Sequence, residues 1–156
     1  RVLLKDAAVD DGDDSDGGVR LAIVFVRRGR PIERIAQALE GVLDLETPAL
    51  LHEDMSLPAR AQAIRSMRDG SRRLLVATPM AARGIDLEAC SHVYLFDVPP
   101  TAEDYLHAAG RCGRFGRSGT ATVLCADKEL FALRRIGNAL RVDFEDVRRG
   151  GRGRSV

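Results

Sequence analysis

Leu21-Ala-Ile-Val-Phe-Val26 is the stretch that decides the fold. It is a continuous apolar, β-branched run bounded by charge, which predicts a strand buried on both faces rather than the alternating strand of a one-sided sheet. Behind it, Ile32, Ile35, Ala36, Leu39, Val42 and Leu43 recur at helical spacing, entered through Pro31, a residue suited to a first helical turn. The same unit returns along the chain. Ala49-Leu-Leu-His52 reads as a second short strand, and Ser56 with Pro58 opens a helix to about Met67 that Asp69-Gly70 stops. Leu74-Leu-Val-Ala-Thr78, Val93-Tyr-Leu-Phe96 and Thr120-Ala-Thr-Val-Leu-Cys125 are the third, fourth and fifth strands. Thr101 and Asp104 have the spacing of a capping box for a helix carrying His107, and Asp127 is placed to cap a last helix through about Leu140. Strands alternating with helices predict an α/β fold with a mostly parallel central sheet covered on both faces. Ligands of such sheets bind at the carboxyl ends of the strands, so Thr78–Asp86 and Gly110–Arg117 are the segments to watch.

The chain of 156 residues is one domain's length, since about 100–150 residues is the commonest size. Its composition is 45% hydrophobic, with no apolar run near the roughly 18 residues of a membrane span, so no membrane partner is expected. The net charge of +1 is unevenly distributed: residues 1–18 hold two basic and six acidic residues, leaving 22 basic against 17 acidic, or +5, elsewhere. Residues 1–18 are therefore expected to be a flexible acidic linker or insertion, 19–145 the folded domain, and 146–156 a basic Gly/Arg-rich tail. The aspartates between Asp10 and Asp16 lack calcium-loop spacing and repel one another. Arginine supplies 22 of the 24 basic residues, which fits either phosphate recognition or codon usage. Three cysteines, Cys90, Cys112 and Cys125, have no metal-type spacing, and their odd number fits free thiols in an intracellular, reducing compartment.

Function is concentrated in Tyr105-Leu-His-Ala-Ala-Gly-Arg-Cys-Gly-Arg114. Arg111 and Arg114 stand three residues apart beside Gly110 and Gly113, where planar guanidinium forks could reach a polyphosphate; surface ion pairing is the plainer alternative. His52, His92 and His107 have no Cys or carboxylate partners at ligand spacing, so no metal site is expected.

Thr78-Pro-Met-Ala-Ala-Arg-Gly-Ile-Asp86, then Asp97-Val-Pro99, then the stretch from Tyr105 to Arg114 resemble motifs V and VI of DEAD-box ATP-dependent RNA helicases, in order and at family-like spacing. Ile23-Val-Phe-Val26 resembles motif IV, and Leu51-His-Glu-Asp-Met-Ser56 with Arg60 resembles the segment after it. The resemblance covers about residues 20–145. It implies a RecA-like three-layer sandwich, the C-terminal half of a two-domain helicase. Carried over by position, it makes Arg111 and Arg114 arginine fingers on the ATP γ-phosphate, with Asp86 and Gly84 also at the nucleotide. Thr78, Arg60 and Arg83 become RNA contacts, Arg83 coupling the RNA and ATP sites, and His107 with Gly110 face the other domain. Neither a Gly-x-x-x-x-Gly-Lys-Ser/Thr loop nor an Asp-Glu-Ala-Asp stretch is present. The resemblance places those parts, and the Mg2+ that accompanies ATP, in a preceding RecA-like domain, and a monomer that binds RNA is the expected state.

Several positions depart from the family pattern. Glu53 replaces a usual Gly, Leu57 a usual Gln, Pro79 an Asp or Ser, and Ala108 an Arg, while Arg27 and Arg28 replace the polar end of motif IV. Pro79 removes a backbone donor and Glu53 adds negative charge, so weaker RNA affinity is expected. These departures keep open a degenerate RNA-binding or scaffold module without ATPase activity. A DNA translocase of the same superfamily is the other alternative, disfavoured by His107 where those relatives mostly carry Gln.

Overall fold

A computed structural model describes residues 2–6, 21–43, 47–85, 90–113 and 119–146. The chain runs β1 (Val2–Asp6), β2 (Leu21–Phe25), α1 (Ile32–Leu43), β3 (Ala49–Leu51), α2 (Leu57–Arg68), β4 (Leu74–Ala77), β5 (Cys90–Leu95), α3 (Ala102–Ala109), β6 (Thr120–Cys125), a 3-10 turn (Asp127–Glu129), α4 (Leu130–Leu140) and β7 (Phe144–Asp146). These strands form one sheet in the order β3-β4-β2-β5-β6-β1-β7. The first five are mutually parallel, as the alternating pattern predicts.

The apolar run of β2 is explained by where it lies. Ala22 to Phe25 pair with Leu74 to Ala77 of β4 on one side and with His92 to Leu95 of β5 on the other. Successive side chains then point to opposite faces. Ile23 and Phe25 join Leu75, Val93, Leu95 and Val123 under α2, α3 and α4, which contribute Met67, Tyr105, Leu133 and Ile136. Val24 and Val26 join Leu74 and Val76 beneath Ile32 and Ala36 of α1. Both faces are dry, and this is the RecA-like three-layer arrangement. Each fully buried aliphatic side chain of β2 contributes roughly 1.5–3 kcal/mol relative to exposure.

The helix boundaries follow local chemistry. Ser56 caps α2, its hydroxyl accepting from the Ala59 amide at 3.4 Å, and Asp69 with Gly70 at φ 75° ends it. Thr101 caps α3 by accepting from the Asp104 amide at 3.1 Å. At the last helix the structure differs from expectation: Asp127 makes no cap, and the chain enters α4 through the 3-10 turn, with the Ala126 amide donating to Glu129 at 2.9 Å. Glu129, two residues downstream, thus reaches back to the amide that precedes the turn instead of Asp127 accepting from the helix's first amides.

The sheet has two strands more than the five expected. Val2–Asp6, assigned by charge to the flexible segment of residues 1–18, forms β1 antiparallel to β6. Phe144–Asp146 forms β7 antiparallel to β1. The physical reason is the open edge of β6, whose unpaired backbone groups the apolar Val2-Leu-Leu run can satisfy. Residues 7–18 and the basic tail from residue 147 onward lie outside the described residues. Phe144, buried, meets Tyr105 of α3 edge-on with ring centroids 5.4 Å apart. Gly137 lets this corner close, because a Cβ there would stand 2.8 Å from the Val142 carbonyl oxygen.

Burial also sets thiol chemistry. Desolvation, then the Glu129 and Asp127 carboxylates, push the Cys125 thiol up to about 11.

Phe144→Ala is expected to lower unfolding free energy by roughly 3–5 kcal/mol in urea melts. Phe131→Ala, at an α4 position 74% exposed, should change it by no more than about 0.5 kcal/mol.

Candidate functional site

Parallel topology aligns the carboxyl ends of β3, β4, β2 and β5, and the connections leaving β2 and β5 run in opposite directions. Such a switch point opens a crevice. Here it is a cleft of about 380 Å³, walled by Phe25 at the end of β2, Pro79 and Arg83 after β4, and His107, Ala108 and Arg111 from α3 and its exit, with Glu103 and Asp104 at the rim. Two guanidinium groups and a histidine thus share one opening.

The segment after β4 is wound into consecutive turns. Thr78 N–H donates to the Leu51 carbonyl at 3.0 Å, Ala82 N–H to Thr78, Arg83 N–H to Met80 and Ile85 N–H to Ala82. Gly84 sits at φ 76°, a left-handed conformation that glycine adopts without strain. The exit of α3 is fastened to this segment, because the Arg111 guanidinium donates to the Ile85 carbonyl at 3.0 Å. Gly110 is required there by space, since a Cβ would lie 2.8 Å from the Leu106 carbonyl oxygen. His107 is mostly exposed, with Nε2 4.0 Å from Glu103.

A second cluster lies beside the first. Thr78, only 4% exposed, donates its hydroxyl to Glu53 at 2.9 Å and accepts from the Ala81 amide at 3.4 Å. Arg60, on the first turn of α2, donates to the Ala81 carbonyl at 3.3 Å. Leu57 and Met80 stay exposed nearby in sequence, one opening α2 and the other in the Thr78 turns. Of the residues singled out from sequence, Arg83, His107 and Arg111 line the cleft, with Gly84 and Gly110 next to them in the chain, while Thr78 and Arg60 both bond Ala81 at the neighbouring strand end. Asp86 and Arg114 lie outside the described residues.

Sequence reasoning missed the partners of Asp97. This carboxylate, with its side chain 6% exposed, accepts from the Arg30 guanidinium at 2.5 Å and the Arg27 amide at 3.4 Å, and the Arg27 guanidinium lies 3.7 Å away. It locks the turn after β2 to the end of β5. The signal was present in the Asp97-Val-Pro block, but pairing it with Arg30 requires knowing that β2 and β5 are neighbours. Among the described residues no group of three or more His, Cys, Asp or Glu side chains is placed to hold a metal ion. No helix among them is long and apolar enough to cross a membrane.

Residues 15–116 match the family model of the helicase conserved C-terminal domain. The chain is 36% identical over 128 residues to the DEAD-box ATP-dependent RNA helicase CshA of Geobacillus kaustophilus, covering 82% of this chain and 27% of that protein. Against CshA of Bacillus subtilis the identity is 40% over 116 residues, covering 74% and 23%. The chain therefore spans about a quarter of the length of these relatives. Among solved structures, the E. coli DEAD-box protein SrmB bound to regulator of ribonuclease activity A superposes with a TM-score of 0.66 at 34% identity, covering 81% of this chain and 72% of that one. Dbp5 of S. cerevisiae, bound to RNA and ADP BeF3, gives a TM-score of 0.63 at 30% identity, covering 77% and 32%. Motif order, sheet topology and these likenesses agree, and the chain belongs to the helicase conserved C-terminal domain family, alongside the C-terminal RecA-like domains of DEAD-box helicases.

Proposed function

We propose that this chain is the C-terminal half of an ATP-dependent RNA helicase that completes an ATP site and grips the RNA backbone. The observation that carries the reading is the Arg111 hydrogen bond to Ile85. It ties the arginine stretch to the turns leading into Asp86, so two sequence-distant segments reach one cleft. In this reading Asp86 and Gly84 meet the nucleotide, and Arg111 and Arg114 serve as the fingers. Delocalised cations there stabilise charge spreading over the transferring phosphoryl group, worth about 10³–10⁵ in rate where such arginines have been measured.

The residues present fit a triphosphate better than its metal. Arg83 and Arg111 offer cations to the cleft, whereas among the described residues the carboxylates lining it, Glu103 and Asp104, sit at adjacent positions on α3. ATP with Mg2+ is therefore assigned mainly to a preceding RecA-like domain, and closure of the two domains on ATP and RNA would bring the fingers to the γ-phosphate. RNA phosphates are assigned to Thr78, Arg60 and Arg83, and the interdomain surface to His107 and Gly110. The protein is proposed to act as an intracellular monomer.

A second reading has its own observation. Thr78 already donates to Glu53, which suits a module whose RNA grip has weakened and which serves as a scaffold without turnover.

The 156-residue chain alone is expected to hydrolyse no ATP above background; turnover by the purified chain that Arg111→Ala abolishes would overturn the half-site assignment. In the two-domain protein, Arg111→Ala should lower kcat for RNA-stimulated hydrolysis by at least about 100-fold while changing RNA Kd by less than about threefold. Matching losses in both would remove Arg111 from the finger role. A two-domain protein with intact upstream motifs and no RNA-stimulated turnover would favour the scaffold.

A further inference from the structure

We propose that the Glu53 carboxylate is an internal stand-in for a nucleic-acid phosphate at Thr78, and that RNA must displace it to bind. The inference rests on the reading of Thr78 as a phosphate contact and names how that contact is regulated.

The arrangement follows from the sheet. β3 and β4 are parallel neighbours with Leu51 opposite Ala77, so the turn after β3 and the residue after β4 emerge side by side at the carboxyl edge. That places Glu53 against Thr78 although 25 residues separate them. A threonine hydroxyl has one proton to donate and two lone pairs. The proton goes to Glu53 Oε2 at 2.9 Å, and one lone pair receives the Ala81 amide at 3.4 Å. A phosphodiester oxygen carries no proton, so it can use this hydroxyl only as an acceptor, in the position that the carboxylate holds. Thr78 is 4% exposed, and its single hydroxyl proton cannot bond the carboxylate and a phosphate oxygen at full strength together.

Charge adds to the competition. The carboxylate is an anion at the point where another anion has to arrive, and a hydrogen bond to an ionised acceptor is stronger than a neutral one. Arg60, bonded to the Ala81 carbonyl of the same turn, supplies the attraction that Glu53 opposes. Glu53 is only half-buried and lies in the turn closed by the Met55 amide on the His52 carbonyl, so its side chain can swing to water without unwinding β3 or α2. The outcome is a site whose affinity is held down by its own side chain and whose bound RNA is readily replaced.

The test uses the full-length protein, a fluorescein-labelled single-stranded oligouridylate and a non-hydrolysable ATP analogue with Mg2+, read by anisotropy. Glu53→Ala should tighten RNA binding by about 5–10-fold, and Glu53→Gln, which keeps an acceptor but loses the charge, by about two- to threefold. In a Thr78→Val background, Glu53→Ala should gain no more than about twofold, because the shared hydroxyl is gone. Unchanged or weakened binding in Glu53→Ala overturns the proposal, as does a full gain in the Thr78→Val background. If Glu53→Ala fails to fold, the nearly isosteric Glu53→Gln decides: tighter binding supports the stand-in, and unchanged binding overturns it. Failure of the two readings can be told apart. Loss of binding in Arg60→Ala and Thr78→Val with no gain in Glu53→Ala leaves the RNA reading intact and removes the stand-in. No RNA binding by the wild type or any Glu53 variant removes both.

Discussion

A strand with no water on either face must also be hydrogen-bonded along both edges, and that double demand on β2 organises the molecule. Its two neighbours, β4 and β5, satisfy the backbone, and α1 on one face with α2, α3 and α4 on the other exclude the solvent. Because β2 is central, the end of the strand at Phe25 is also the floor of the cleft. The residues that would do chemistry need only sit on the turns that leave this strand and its neighbours. The core thereby fixes their positions without using them as packing.

The loops at this end of the sheet are joined by polar fastening. Arg111 reaches the Ile85 carbonyl, Asp97 gathers the turn after β2, and Thr78 binds the turn after β3 through Glu53. Each bond joins two segments that the sheet has made neighbours. Net worth per bond is about 0.5–1.5 kcal/mol, or more where a charge takes part, so the loops are held in register without being welded. This suits the rearrangement that the proposed closure of two domains over ligands would need.

Much of this was legible in the sequence, and most of what was not shares one cause. Period and punctuation located every strand of the parallel set, because short apolar and β-branched runs bounded by turn residues or charge mark strands buried in a parallel sheet. Motif spacing pointed to Arg83, His107 and Arg111, which line one cleft. What escaped were pairings across the sheet. Glu53 and Thr78 were each recognised as unusual or functional, yet their hydrogen bond depends on β3 lying beside β4. Asp97 and Arg30 depend in the same way on β2 lying beside β5. The strand at Val2 was missed for another reason: three apolar residues next to a long acidic segment were averaged into its charge.

The position of β1 has a consequence for the order of assembly. β7 has no sheet neighbour except β1, and β1 pairs Val2 with Cys125 from the opposite end of the chain. The sheet is complete only when the first strand lies beside β6 and the last strand beside the first. These are the pairings of longest sequence separation in the sheet, so loop entropy makes them the closures expected last, after the parallel strands around β2. On that ordering the Tyr105–Phe144 contact, which seats β7 against α3, is expected to be a clasp formed late rather than a seed formed early.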